Sequence, residues 1–379
     1  MTSKETVPTS RPAARLAFWA YAAIVLGVTI ATLHFGQDLL IPLAVAALVF
    51  VLLTSVVDRI ARQKVGNWQP PSWLAHVLGL GLVLLGLVAI ATILSSQARD
   101  VAAAVPKYQE RVAVIAGTLL DMIGESNANA VESALAGVDM GDLALTTVNS
   151  ASGFLSGFFL MLLYVPFMMI ERRPMRSKLA LAASDPELGA EIAATVRHIA
   201  EGLQRYVGIK TFVSALTGAL CYAVMKFVGL DFAETWGLLA FALNFIPTLG
   251  SAVAVILPAV AALVQFDGYS VFLTVAIGCG AVQFVIGNIL EPALTGKSLN
   301  LSPLMVVVAL TAWTLMWGIP GAFLSVPITV CVMIIFAHVP GMRWAAILMS
   351  GDGILSEGPN QETEDLAKEG PMAVPPGKT

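Results

Sequence analysis

The chain has 379 residues, of which 57% are apolar and only 12% charged, with a formal net charge of −4 and a mean hydropathy of +0.82. A soluble domain carries about 25% charged residues, so half that fraction leaves too little charge for a water-facing surface. These figures argue against a soluble enzyme and a disulfide-rich secreted domain, and no basic face suited to nucleic acid is present.

The apolar residues fall in runs of about twenty, the length that crosses a bilayer core. The first run is 18–33, after Arg11 and Arg15. No small-residue cleavage site follows it and a second run, 39–57, comes at once, so a membrane hairpin is expected rather than a signal peptide. His34, Gly36, Gln37 and Asp38 lie in its turn. The third run is 73–94, the fourth 152–170 and the fifth 209–228. Gly153 and Gly157 form a GxxxG pair in the fourth, a pattern of close helix contact.

Lysine and arginine positions orient the spans. The N-terminal arm (Lys4, Arg11, Arg15), the loop after span two (Arg59, Arg62, Lys64) and the segment after span four (Arg172, Arg173, Arg176, Lys178, Arg197, Arg205, Lys210) are expected in the cytoplasm. The insertion 95–150 has three basic residues against seven acidic ones and is expected outside. Within it Val101, Val105, Tyr108, Val112, Ile115, Leu119 and Met122 make a heptad seam. The seam suits packing on the same chain or between subunits. The inner segment opens on Ser184-Asp185-Pro186-Glu187, a helix-start signal. Leu188, Ile192, Val196, Ile199, Leu203 and Tyr206 then line one face of an amphipathic helix leading into span five.

Beyond span five the pattern changes. The apolar stretch 235–266 is interrupted by Asn244-Phe245-Ile246-Pro247-Thr248-Leu249-Gly250-Ser251, and the stretch 303–337 by Trp317-Gly318-Ile319-Pro320-Gly321, with Pro327 after it. Proline removes a backbone donor and glycine permits a sharp turn. Such breaks survive at membrane depth only inside protein or beside water. Two interrupted segments flanking one ordinary span, 269–289, point to a transport site. Both are expected to be hairpins, the first entering from outside and the second from inside; a kinked span at each place is the other reading.

Gln283, Asn288 and Glu291 lie on or near the end of that ordinary span, and helical spacing puts Asn288 and Glu291 on one face. An ionisable group at membrane depth is a functional candidate, so Glu291 is a candidate for coupling a proton or binding a cation. A carboxylate capping a helix at the water interface is the plainer reading. Other chemistry is missing. Thr295-Gly296-Lys297-Ser298 ends like a P-loop, but Glu291 stands where the first glycine belongs and no strand precedes it. The four histidines make no HExxH pair and there is no GxSxG elbow. Cys221, Cys279 and Cys331 fit neither a zinc site nor a disulfide framework and read as buried small hydrophobes. No catalytic residue, metal or cofactor is expected.

The runs LNFIPTLGSAVAVILPAVAALVQF and GNILEPALTGKSLNLSPLMVVVALTAWTLMWGIPGAFLSVPITV resemble the signature halves of the autoinducer-2 exporter family of permeases, most densely over 235–337. The motif positions are Asn244, Pro247, Gly250, Glu291, Pro292, Gly296, Pro303, Trp317, Gly318, Gly321 and Pro327. The resemblance implies a bacterial inner-membrane protein, a homo-oligomer with a pentamer among its forms, and secondary transport of a small molecule. Some members export autoinducer-2 and others are described as sodium/proton antiporters. The family often has an aromatic and a further Pro or Gly around Thr248–Ser251, where this chain departs from it.

The expected fold is an all-α polytopic membrane protein, with about six full spans, two broken or re-entrant helical hairpins and an outer helical insertion. The segments are a cytoplasmic arm (1–16), three transmembrane helices (17–94), the insertion (95–150), a fourth transmembrane helix (151–170), a cytoplasmic amphipathic segment (171–207), a transport core (208–337) and a mostly disordered cytoplasmic tail (338–379). The expected function is export of a small molecule, autoinducer-2-like or a related metabolite, by alternating access driven by an ion gradient. Asn244, Gln283 and Asn288 would bind substrate, Trp317 would wall the pocket and Glu291 would couple the ion. Pro247, Gly250, Gly318, Pro320, Gly321 and Pro327 would form the breaks or gates. The partners are the small-molecule substrate, membrane lipid and further copies of the chain, with no nucleic acid. A monovalent cation/proton antiporter centred on Glu291 is the alternative, and a non-transporting membrane scaffold the second.

Overall fold

The computed structural model describes residues 11–63, most of 71–96, Arg111, most of 160–178, and 185–295, 300–339 and 341–353. The heptad seam, the Gly153–Gly157 pair, Gly296 and the tail beyond 353 lie outside the described residues.

The described chain is helical. Helix α1 is Arg11–Phe35, α2 Gln37–Arg62, α3 Trp73–Ile90, α4 residues 163–172 and α5 Pro186–Phe227. Helix α6 is Ala233–Leu243, α7 Leu249–Gln265 and α8 Tyr269–Val285; a π turn, Ile286–Leu290, joins α8 directly to α9, Glu291–Thr295. Helix α10 is Pro303–His338 and α11 Arg343–Met349. Among the described residues there is no strand, only an isolated bridge between Leu301 and Ser350. Among the described residues five helices are long and apolar enough to cross a membrane, among them Gln37–Arg62 and Tyr269–Thr295. The outer face of Tyr269–Thr295 carries exposed Leu273, Ile277 and Phe284, as a bilayer-facing surface requires. The fold is an all-α polytopic membrane protein.

Gly36 alone separates α1 from α2, and hydrogen bonds from Gly36 N to the Thr32 carbonyl and from Leu40 N to the Gly36 carbonyl run through the junction. Pro186 occupies the first position of α5, where its missing donor costs nothing. From there α5 runs 42 residues without interruption, about 63 Å. The expected boundary between an amphipathic segment and a span at 207/208 falls inside this one helix. Its buried stripe is Val207, Lys210, Ser214, Thr217, Cys221 and Met225, at the three- and four-residue spacing of one helix face.

Buried contacts arrange the other elements around α5. Cys221 and Met225 pack with Ala233 of α6, Ala254 and Ala262 of α7, and Val275 and Cys279 of α8. Cys221 and Cys279 are the buried apolar residues the sequence suggested, whereas Cys331 is half-buried. Tyr206 and Val207 pack with Val326 and Val330 of α10 and against Leu48 and Val51 of α2. A third cluster joins α2, α3 and α4 through Leu53, Ala75 and Val165. Arg172 fastens α4 to α2 with hydrogen bonds of 3.3 and 3.0 Å to the Asp58 carboxylate.

Candidate functional site between two opposed hairpins

Helices α6 and α7 form a hairpin closed at its base. Gln265, the last residue of α7, accepts a hydrogen bond from the Asp231 amide at 2.7 Å and donates to the Gly229 carbonyl at 3.0 Å. Residues 229–231 lie just before α6, so the chain returns to where it entered. Helix α6 has 11 residues, a length of about 16 Å, against a hydrocarbon core of about 30 Å. The tip is Asn244–Thr248. There Gly250 presses on the Leu243 carbonyl so closely that a Cβ would sit 1.8 Å from that oxygen. Thr248 holds φ = 59°, a strained setting for a β-branched residue.

Helix α10 is likewise two limbs. Gly318 breaks it with φ = 62° and ψ = −139°, a conformation open essentially to glycine. Trp313 Nε1 donates to Thr329 Oγ1 at 3.2 Å across the break. In a straight helix those residues would be about 24 Å apart, so the chain reverses. Pro320 follows in the first turn of the second limb, where a missing N–H is tolerated. A Cβ on Gly321 would lie 1.9 Å from the Trp313 carbonyl oxygen. Both interrupted stretches are therefore hairpins rather than kinked spans.

The hairpins point in opposite directions along α5. The first has its base beside the C-terminal end of α5 and its tip at Ser214, whose hydroxyl accepts a 3.0 Å hydrogen bond from Asn244 Nδ2. Ser214 is 13 residues from Phe227, about 20 Å along the helix. The second hairpin packs Val326 and Val330 on Tyr206 and Val207, at the middle of α5. Its tip reaches the end of α1, where Trp317 Nε1 donates to the Leu33 carbonyl at 2.9 Å. The hairpins touch where the Phe245 ring meets Phe323, with centroids 4.6 Å apart.

Polar groups collect on α5 beside this contact. Lys210 Nζ donates to Glu291 Oε1 at 2.5 Å, with the lysine side chain 8% exposed and the glutamate 25%. The π turn makes that pairing possible. Val275, Cys279, Gln283 and Ile286 are the buried residues of α8 and the start of the turn. A regular helix would continue that face at residue 290; the extra residue of the π turn moves it to 291. Helices α5 and α8 run antiparallel, with Gly278 against Val224 and Glu291 against Lys210. That register brings Gln283 to about the level of Thr217. Gln283 is buried, and neither Nε2 nor Oε1 has a hydrogen-bond partner.

The structure thus gathers Asn244, Gln283 and Glu291 along one stripe of α5. It does not place Asn288 with them. Asn288 lies within the π turn, is exposed, and donates to its own helix at the Phe284 carbonyl, 3.1 Å away. The shared face expected for Asn288 and Glu291 assumed regular helical geometry, which the π turn removes. Trp317 is buried between Leu33 and Trp313, whose ring centroid is 5.3 Å away. Pro247 sits at the first tip. Pro327 borders an apolar crevice of about 140 Å³, which Ala44, Leu48, Leu203 and Val207 also line. Sequence reasoning missed Lys210 and Ser214. Lys210 was counted as a cytoplasmic charge, yet a lysine at the start of the run 209–228, with Ser214 and Thr217 four and seven residues on, is the sign of a buried polar stripe.

The family model described as "AI-2E family transporter" matches residues 21–341, which include both hairpins, the π turn and the Lys210–Glu291 pair. The chain belongs to the AI-2E transporter family. "AI-2 transport protein TqsA" of Escherichia coli (strain K12) is 29% identical over 322 residues, covering 84% of this chain and 91% of that protein. A "Putative transport protein" of Haemophilus influenzae is 28% identical over 332 residues, 85% of this chain and 93% of the relative. One from Borreliella burgdorferi is 34% identical over 209 residues, covering 55% and 58%. As an AI-2E transporter with several membrane-crossing helices, the chain is a multi-pass membrane transport protein working in a lipid environment on a small-molecule substrate.

Proposed function

We propose that this AI-2E transporter is a secondary transporter exporting a small polar solute across the bacterial inner membrane, with its N-terminus in the cytoplasm and several copies assembled together. The observation that carries the reading is the pair of opposed helical hairpins, meeting at Phe245 and Phe323 beside the buried polar stripe of α5. Irregular backbone of this kind marks substrate pathways in transporters.

In this mechanism each hairpin gates one side. The first is closed at its base by Gln265 and moves as a unit. Asn244 and the unpartnered amide of Gln283 hydrogen-bond the solute. Glu291 couples an ion gradient to the movement, because its bond to Lys210 ties the π turn to α5. Autoinducer-2 is the first solute to try, given the name of the Escherichia coli relative. Monovalent cation/proton antiport is the weaker reading, since Lys210 already supplies the counter-charge that a free cation would bring to Glu291.

The test is flux from sealed proteoliposomes loaded with autoinducer-2 or with a pH-sensitive dye, under imposed proton and sodium gradients. Gradient-sensitive release of autoinducer-2, lost in Asn244→Ala, supports export through this site. Unchanged flux in Asn244→Ala removes the site assignment. A cation-driven pH change without autoinducer-2 movement, abolished in Glu291→Gln, replaces export with antiport.

A further inference from the structure

Among the described residues, Lys210 is the only charged side chain in the buried class. It projects from the middle of the 42-residue helix α5, one turn before Ser214, the residue that holds the tip of the first hairpin. Its partner is held differently. Glu291 opens a five-residue helix immediately after a π turn, and it keeps 25% of its side-chain surface exposed against 8% for Lys210. A pair built this way opens asymmetrically. Glu291 has a short route to water, whereas the ammonium stays inside the protein on a rigid helix. A buried ammonium without a counter-ion is strongly unfavourable. Whatever displaces Glu291 must therefore bring a negative oxygen to the same place.

We infer that Lys210 is an anion-binding residue of the transport site, and that the Glu291 carboxylate is an internal stand-in for the acidic group of the solute. The inference rests on the transport reading above and deepens it by naming the class of substrate, a compact anion with a carboxylate or phosphate group. The anion takes the place of Oε1 on the lysine, charge-assisted hydrogen bonding replaces like with like, and Asn244 and Gln283 serve the neutral polar part of the solute. In the empty protein the Lys210–Glu291 bond closes the site. Release of Glu291 frees the π turn from α5, so solute binding and movement of the α8–α9 segment become one event.

The experiment measures carbodiimide modification of Glu291 by peptide mass spectrometry, on the full chain in lipid nanodiscs. A hydrophobic carbodiimide reaches a carboxyl group once its ammonium partner has left it. Lactate, malonate and inorganic phosphate are each titrated at fixed pH and matched ionic strength, with lactamide as the uncharged control. At least one anion is expected to raise modification saturably, by at least about threefold, the size of a modest population shift, while lactamide does nothing. Lys210→Arg keeps the response. Lys210→Met shows high modification that no anion changes. Absence of a rise with all three anions, or an equal rise with lactamide, overturns the inference. If Lys210→Met does not fold, the wild type and Lys210→Arg still decide it. The two readings fail separately: gradient-driven flux of a neutral solute with no anion response discards the anion site and keeps transport, whereas an anion response with no flux of any solute does the reverse.

Discussion

Trp313 and Thr329 are 16 residues apart in the chain and share a side-chain hydrogen bond of 3.2 Å. That contact turns a 36-residue apolar helix, long enough by composition to cross a membrane, into a hairpin whose two limbs lie side by side. The reversal depends on Gly318 and on the absence of a side chain at Gly321, where a Cβ would meet the Trp313 carbonyl oxygen at 1.9 Å. Gly321→Ala is therefore expected to open the hairpin and destabilise the protein by about 3 kcal/mol or more, the range of forced overpacking against backbone. Limited proteolysis and the thermal midpoint in detergent measure this; a variant as resistant as wild type would show that the limbs have room to separate.

The Lys210–Glu291 pair predicts an unequal mutant cycle. Glu291→Gln strands the more buried partner, so it is expected to cost more than Lys210→Met, about 3–5 kcal/mol for an uncompensated buried charge. Combining Lys210→Met with Glu291→Gln should bring stability back to within about 1 kcal/mol of wild type, because no charge then remains unpaired. Unfolding in mixed micelles gives the three values. Additive losses in the double variant would mean that the two residues act independently.

Gln283 is expected to trade stability for function. Its amide is buried with both polar atoms unpartnered, and an unsatisfied buried amide costs about 1–3 kcal/mol. Gln283→Leu should raise the thermal midpoint and abolish solute flux in proteoliposomes. A lower midpoint with normal flux would mean that the amide is satisfied in the working protein and has no part in the site.

Thr248 is the strained residue of the first tip, with φ = 59°. Thr248→Gly is expected to stabilise the fold by about 1 kcal/mol, since glycine adopts that conformation without a Cβ clash. Calorimetry of the purified variant reads the shift directly. A loss of stability would place the threonine hydroxyl, which donates to the Pro247 carbonyl at 2.7 Å, above the backbone strain.

Gln265 ties the two ends of the first hairpin together at its base through the Gly229 and Asp231 backbone bonds described above. Gln265→Ala should raise hydrogen exchange across α6 and α7 while leaving α2 unchanged, because the lost bonds free one cooperative unit. Exchange that rises equally in α2 would show that the hairpin is not a separate unit.

The sequence by itself determined the solvent. A charged fraction of 12% and apolar runs of span length leave no fold but helices in a bilayer. It also determined where those helices break, since Pro247 with Gly250 and Pro320 with Gly318 and Gly321 announce themselves to any local reading. The Asn244 and Gln283 candidates were legible for the same reason, as polar side chains in apolar surroundings. What the breaks do was not legible, because a kink and a reversal begin with the same residues; only Trp313 meeting Thr329, and Gln265 meeting Gly229, decide between them. Nor could spacing place Asn288 and Glu291. Helical periodicity assumes 3.6 residues per turn, and one π turn at Ile286–Leu290 shifts everything after it by a residue. That shift carries Glu291 onto the face of α5 and gives Lys210, which the sequence offered only as a surface charge, its partner across 81 residues of chain. A pairing over that distance depends on how helices pack, which local composition does not encode.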